Sequence, residues 1–200
     1  MKLNESLSVS FAWSKQLSVF SQSFKDYLAT LLSIKYGSKV KSVETKDPNL
    51  TTMVIRINNE RSEMSALISS YPALILIFNY FEDEVLNTIV DLINFLDEHK
   101  VKPQTVEINY VNMSSTEESS TLDIIKKYVR VEQFSDFEPF SIRLTKREQK
   151  TTELITIEPV ANLDNTLYIN YVIKCVDEIE PCVSKGEKMI KLLVETFVKL

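Results

Sequence analysis

The pattern of apolar and polar residues divides the start of the chain into a strand and a helix. Residues 7–11 alternate between apolar and polar side chains, which is typical of a β-strand with one buried face. Apolar residues then recur every three or four positions between 17 and 31, which indicates an amphipathic helix. Ser14 is a suitable N-cap for this helix, and Gly37 marks its expected end.

Short β-rich runs and a second helix follow. Turn-type clusters such as residues 47–49 separate the runs. The last run is apolar at every position, which predicts a strand in the interior of a sheet, buried on both faces. Residues 85–96 carry apolar side chains at helical spacing, and the acidic residues just before them favour a helix start. The predicted strands of this part are 40–43, 53–57, 66–69 and 74–78.

The second half of the chain repeats this order of elements. A strand at 106–110 precedes a helix at 120–130, and a capping box at 184–187 predicts the start of a final helix. We therefore expect one compact α+β unit over residues 1–200, built from two β-α-β(3-4)-α repeats, 1–102 and 103–200. The repeats would form a largely antiparallel sheet with long helices on one face. The other face is either open or covered by loops. The remaining strands are predicted at 140–144, 154–157 and 167–172.

The charge of the chain is unevenly distributed. The net charge is -5, and residues 51–118 hold 4 basic against 11 acidic side chains. An acidic chain without a basic run makes nucleic acid an unlikely partner, and the acidic middle third favours a protein partner that is itself basic. A solvated helix face is the simpler interpretation of the same charges. No apolar run reaches the length of a membrane span, so we expect a cytoplasmic protein with no membrane contact, and homo-oligomers stay open.

Few residues carry recognisable chemistry. The single histidine, His99, lies at a predicted helix end, where capping explains it better than catalysis. Cys175 and Cys182 are expected as free thiols, and Cys182 is the one candidate nucleophile if the protein is an enzyme. An acidic string at 177–180 lacks the spacing of a calcium loop. With two glycines, the chain has no phosphate-binding loop. We expect no catalytic residue, no metal and no cofactor.

Two sets of residues are candidates for a protein interface. Phe134 and Phe137 belong to an aromatic, acidic stretch, and large aromatic side chains are common interface anchors. The same rings would otherwise pack a loop onto the core. The second set is the acidic start of the second helix, Glu82, Asp83 and Glu84.

The chain resembles a sporadically distributed family of uncharacterised bacterial proteins. The likeness rests on strings that span most of the chain: 55–57, 78–81, 107–112, Val176-Asp177 and Phe197. The resemblance implies no reaction, but it implies genes in small operons, as for antitoxins and mobile defence genes. The order of elements is also similar to the repeats of the TATA-binding protein and to helix-grip domains, although the chain lacks a basic saddle with paired Phe wedges.

These observations lead to two hypotheses. The first is a non-catalytic protein-binding factor, such as an antitoxin-like neutraliser or an accessory subunit of a bacterial defence or counter-defence system. The alternative is a small hydrophobic-ligand binding protein with a cavity between the sheet and the helices.

Overall fold

The computed structural model describes residues 2–13, 21–57, 63–71, 73–115, 121–128, 141–161, 163 and 165–198. Within these ranges the chain forms a nine-stranded sheet and four α-helices. A short 3₁₀ turn, Gly37–Lys39, follows the first helix, and a wider helical turn, Val194–Val198, continues the last. The elements in chain order are β1 (Lys2–Ala12), α1 (Ser21–Tyr36), β2 (Val40–Asp47), β3 (Leu50–Arg56), β4 (Glu63–Ser69), β5 (Ala73–Phe78), α2 (Asp83–Glu98), β6 (Thr105–Ser115), α3 (Thr121–Tyr128), β7 (Ile142–Arg147), β8 (Thr151–Pro159), β9 (Thr166–Val176) and α4 (Ile179–Leu193).

The first strand of the chain lies at the middle of the sheet. The strand order is β2-β3-β4-β5-β1-β6-β9-β8-β7, and the paired strands are antiparallel throughout. Leu7 of β1 lies opposite Phe78 on one side and Tyr110 on the other. β2 and β7 are therefore the two edges of the sheet.

One face of the sheet forms the core. Every second residue of β6 is buried, from Val106 to Ser114, and the alternate positions are only half-buried. In β5, Leu74 and Leu76 are fully buried while Ile75 and Ile77 are half-buried. The predicted interior position of β5 is thus correct, but only one of its faces is fully buried.

Helix α4 is held close to the buried face by a glycine. Its buried residues recur at three- and four-residue spacing, as an amphipathic helix requires. A Cβ atom at Gly186 would lie 3.1 Å from Ile108 Cδ1 of β6 and 3.4 Å from Ile173 Cγ2 of β9. The absence of a side chain at this position lets α4 lie directly on the two strands. Helix α1 contacts β3 and β4, and helix α3 contacts β8.

The predicted α+β class with a large antiparallel sheet is confirmed. A strand overlaps each predicted strand, mostly longer than predicted, and α1, α2 and α3 overlap their predicted ranges. Residues 120 and 129–130 of the predicted third helix, and residue 140 of the predicted strand 140–144, lie outside the described ranges. Residues 14–20, which include the predicted start of α1, lie outside the described ranges. The division into repeats 1–102 and 103–200, and the packing of the long helices on one face, stay predictions.

The start of the last helix was predicted too late. α4 begins at Ile179, not at the capping box 184–187. Pro181 occupies its first turn, where a missing backbone N–H costs nothing because the first helical N–H groups have no acceptor within the helix. Cys182 therefore lies inside the helix rather than ahead of it.

The expectation of free thiols is also wrong. Cys175, in β9, and Cys182, in α4, form a disulfide with a Cα–Cα distance of 6.0 Å. The chain turns sharply between the end of β9 and the first turn of α4, and this brings the two residues within the range that a disulfide spans. Cys182 carries no free thiol in this structure, so its candidacy as a nucleophile has no support.

We expect reduction of this disulfide to lower the free energy of unfolding by about 2 kcal/mol, because the bond closes a short loop and restricts the unfolded chain. Urea unfolding with and without a phosphine reductant measures the change. The double variant Cys175→Ala/Cys182→Ala is the control and should not respond to the reductant. Equal unfolding midpoints for the oxidised and reduced wild-type protein would contradict the prediction.

Candidate functional site

A groove separates α4 from the β7–β8 hairpin. On the core side of the hairpin, Leu144 of β7 pairs with Ile155 of β8, and Lys146 pairs with Glu153. Together with one flank of α4 these residues enclose a volume of about 380 Å³. This volume lies within the range of about 300–1,000 Å³ that is common for ligand sites. The groove is lined by Leu144, Thr145, Lys146, Glu153, Ile155, Lys185, Lys188, Met189 and Leu192.

The groove exists because α4 has two apolar stripes. The first stripe carries the buried residues that pack on β6 and β9. The second stripe, with Met189 and Leu192 between lysines, faces the hairpin. Leu144 and Leu192 are 57% and 54% exposed, although both are large apolar side chains. The two side chains lie on opposite walls of the groove, which therefore presents apolar surface to solvent.

A chain of hydrogen bonds connects the groove to the core. Lys185 Nζ lies 2.7 Å from Glu153 Oε1, and the Tyr171 hydroxyl donates to Glu153 Oε2 over 3.0 Å. The Glu153 residue is only 5% exposed, so both of its oxygens are paired where water hardly reaches. Lys185 also binds Glu148 at 3.2 Å, and Lys146 binds the other oxygen of Glu148 at 2.7 Å.

These contacts set the protonation of the groups. The hydrogen bond to Glu153 is the main cause that raises the pKa of Lys185, which therefore stays a cation. Hydrogen bonds from Lys146 and Lys185 lower the pKa of the exposed Glu148 carboxyl. Burial, followed by the charge of Glu153, raises the pKa of the Tyr171 phenol well above its usual range. The phenol thus remains a hydrogen-bond donor at any ordinary pH.

A second buried carboxylate, Glu5, lies in the central strand β1, on the other side of the β6–β9 pair from Glu153. The Tyr110 hydroxyl donates to Glu5 Oε1 over 2.8 Å, and the Phe81 backbone N–H donates to Glu5 Oε2 over 2.9 Å. Asn112 adds a longer contact of 3.5 Å from its Nδ2. Burial, and then the charge of Glu5, raises the pKa of Tyr110. Tyr110 and Tyr171 lie directly opposite each other in the β6–β9 pair, so the two tyrosine–glutamate pairs are neighbours.

The predicted interface residues stay predictions. Phe134 and Phe137 lie outside the described residues. Glu82 is the exposed N-cap residue of α2, and Asp83 and Glu84 occupy the first turn of that helix. The groove was not predicted from the sequence, although two signals point to it: the basic strand β7 and the second apolar stripe of α4.

The other candidates for chemistry are also located. His99 is the C-cap residue of α2, and its Nδ1 donates to the Phe95 carbonyl over 2.8 Å, so its predicted capping role is confirmed. Among the described residues, no group of three or more histidine, cysteine, aspartate or glutamate side chains is placed to hold a metal ion. No helix in the described part of the chain is both long enough and apolar enough to cross a membrane.

Comparison with known proteins gives no assignment. No protein-family model matches the chain, and no curated protein matches it. The resemblance described from the sequence therefore stays a prediction.

Removing the hydroxyl of either buried tyrosine should destabilise the fold. Tyr110→Phe and Tyr171→Phe each leave a buried carboxylate with one donor fewer, and we expect the free energy of unfolding to fall by about 1–3 kcal/mol in each. Chemical denaturation measures the loss. Tyr71→Phe is the matched control, because Tyr71 is 80% exposed and should tolerate the change. A loss no larger than that of the control would show that the two bonds contribute little.

The same tyrosines should make the protein sensitive to alkali. Their native pKa values are raised, whereas an unfolded tyrosine ionises near pH 10. Above that pH the unfolded chain binds fewer protons than the native one, so the free energy of unfolding falls as the pH rises. Below about pH 10 the contribution of the two tyrosines to stability is fully present. Each tyrosine contributes a slope of up to about 1.4 kcal/mol per pH unit. Urea unfolding between pH 9 and 11 measures the slope, and Tyr110→Phe/Tyr171→Phe should flatten it. An equal slope in the double variant would refute the prediction.

Proposed function

We propose that this protein is a non-catalytic protein-binding factor and that the groove between α4 and the β7–β8 hairpin holds its partner. The observation that supports this proposal is a concave apolar surface lined also by three lysines, Lys146, Lys185 and Lys188, on a chain that is acidic as a whole. The apolar walls would supply affinity when water leaves them, and the cations would orient the partner.

The charges around the groove favour an acidic partner segment. Of the cations on β7 and on the groove side of α4, Lys146 and Lys185 are engaged by Glu148 and Glu153. The other three form no ion pair within the described ranges, so they are available to carboxylates of a partner. These three are Lys188, which lines the groove, and Arg143 and Arg147, which lie on the other face of β7 at the edge of the sheet.

This proposal changes the expected chemistry of the partner. The acidic middle third of the sequence favoured a basic partner. However, two carboxylates of α2 already bind lysines of this chain, Asp91 with Lys35 at 3.2 Å and Asp97 with Lys102 at 3.0 Å. The groove offers both apolar area and unengaged charge, and we therefore place the main contact there. As an antitoxin-like neutraliser or an accessory subunit of a defence system, the protein would act by covering an acidic surface of its partner.

A negative charge placed in the groove should weaken partner binding. In Leu144→Glu or Leu192→Glu an apolar wall becomes anionic, and we expect an acidic partner to bind at least about tenfold more weakly. Tagged wild-type and variant proteins are compared for the partner that each retains from the native host, identified by mass spectrometry.

Ile34→Glu provides the control for this comparison. Ile34 is an exposed apolar residue of α1, outside the groove lining, so this variant should keep the partner. A partner that survives both groove substitutions would show that binding uses another surface.

A small anionic amphiphile, such as a fatty acid, is the second candidate for the groove. The volume between the sheet and α4 suits one apolar chain, and Lys188 would receive its carboxylate. Native mass spectrometry of the purified protein separates the two proposals. A bound fatty acid that Leu192→Glu removes would favour the carrier function, and a ligand-free protein would leave the protein-binding factor.

A further inference from the structure

We infer that β7 accepts an added β-strand, formed by an extended acidic segment of the partner that pairs antiparallel with it. This inference rests on the proposed protein-binding function and names the form of its ligand. An edge strand exposes backbone N–H and C=O groups along one side, and an extended peptide can satisfy them while its side chains enter adjacent pockets.

The two edges of the sheet differ in regularity. β2 pairs with β3 through two register shifts, between Val40 and Ser42 and between Thr45 and Asp47. Such irregularities twist an edge and prevent further pairing. β7 pairs with β8 in continuous register from Ile142 to Arg147. Within the described residues, β8 is the only strand that pairs with β7, so its other side is regular and unpaired.

The two edges also differ in charge. β2 contains lysines and acidic residues in equal number, and its Lys41 is bound to Glu63 of β4. β7 contains cations without a single acidic residue, and its side chains from Arg143 onward are exposed. Charged residues on an edge strand often serve only to prevent aggregation. On β7, however, they are of one sign and lie beside an apolar groove, which selects an acidic strand instead of excluding all strands.

The hairpin geometry identifies which backbone groups face outward. At its turn, Glu148 and Thr151 exchange both backbone hydrogen bonds, at 2.8 and 3.4 Å. Hydrogen-bonded and non-hydrogen-bonded pairs alternate along an antiparallel ladder. Because Glu148 is a hydrogen-bonded residue, the even-numbered residues of β7 also bond to β8. The odd-numbered residues point their backbone N–H and C=O groups away from β8. The outward set is Arg143, Thr145 and Arg147.

This register predicts the pattern of the added strand. Arg143 and Arg147 point to the face of the sheet away from the groove. Residues of the added strand that lie opposite them would point to the same face, where a carboxylate can pair with each arginine. The residue opposite Leu144 would point to the groove side, where an apolar side chain meets Leu144 and the apolar stripe of α4. The predicted ligand therefore alternates acidic and apolar side chains, with two carboxylates four residues apart.

A synthetic peptide tests this register directly. The probe is fluorescein-labelled Ser-Glu-Val-Thr-Leu-Glu-Ser, acetylated and amidated, which places its glutamates opposite the two arginines in an antiparallel pairing. One control peptide carries lysines in place of both glutamates. A second control is N-methylated at Glu, Thr and Glu, so it keeps the side chains but cannot donate to the outward carbonyl groups of β7. Binding to the full chain is measured by fluorescence anisotropy.

We expect the probe to bind at least about tenfold more tightly than either control peptide. The variant Arg143→Glu/Arg147→Glu changes only exposed side chains and should reverse the preference, so that the lysine peptide binds more tightly than the glutamate peptide. Amide hydrogen exchange should slow at Arg143, Thr145 and Arg147 when the probe is bound.

Three outcomes would overturn the inference: no binding of the probe at millimolar concentration, equal binding of the N-methylated peptide, or no protection of the outward amides. The result is independent of the groove variants. If Leu144→Glu loses the host partner but the probe does not bind, the proposed function stands and strand addition is wrong. If the probe binds as expected while the groove variants keep the partner, β7 accepts a strand but the proposed function is wrong.

Discussion

The structure depends on two buried carboxylates that must find partners inside the core. Glu5 and Glu153 lie on the buried face of the sheet, on either side of the β6–β9 pair, and each accepts a hydrogen bond from a tyrosine of that pair. A buried carboxylate without partners is strongly destabilising. A shift of one residue in the pairing of β1 with β6, or of β8 with β9, would turn these side chains to the other face. The two tyrosine–glutamate pairs therefore favour one register at the centre of the sheet.

The buried carboxylate of β8 also connects the core to the groove. Lys185 neutralises Glu153 and is at the same time a wall of the groove, so the position of α4 is coupled to the pairing of β8. Gly186 lets the helix lie close to β6 and β9, and the disulfide at Cys182 ties its first turn to the end of β9. The ion pair of Lys185, the close packing at Gly186 and the disulfide at Cys182 thus fix the position of α4 relative to the hairpin. A groove with such fixed walls loses little conformational entropy when a ligand enters it.

Local pattern was enough to predict the elements, and it failed where long-range contacts decide. Alternation and helical spacing located the strands from β1 to β9, because they report directly on which side chains are buried. These patterns placed the start of α4 at the capping box 184–187. The true start is earlier, and in sequence the proline of its first turn resembles a helix boundary. The disulfide was missed because the cysteines were judged by their expected compartment, whereas their pairing follows from the turn between β9 and α4. The groove could not be predicted because it needs the position of α4 relative to a hairpin about forty residues earlier in the chain. The sequence of β7 carries only a local signal of it, three cations and no acidic residue around Leu144.

The uniformly positive charge of β7 also affects the association of this protein with copies of itself. Two β7 strands brought together would place arginine and lysine side chains against each other, and like charges on adjacent strands repel. The opposite edge, β2, offers an irregular ladder that a second sheet cannot follow. A nine-stranded sheet with two long edges could otherwise extend indefinitely from molecule to molecule. Here the charge of β7 and the register shifts of β2 both disfavour pairing with a second copy, so we expect neither edge of the sheet to extend by self-association.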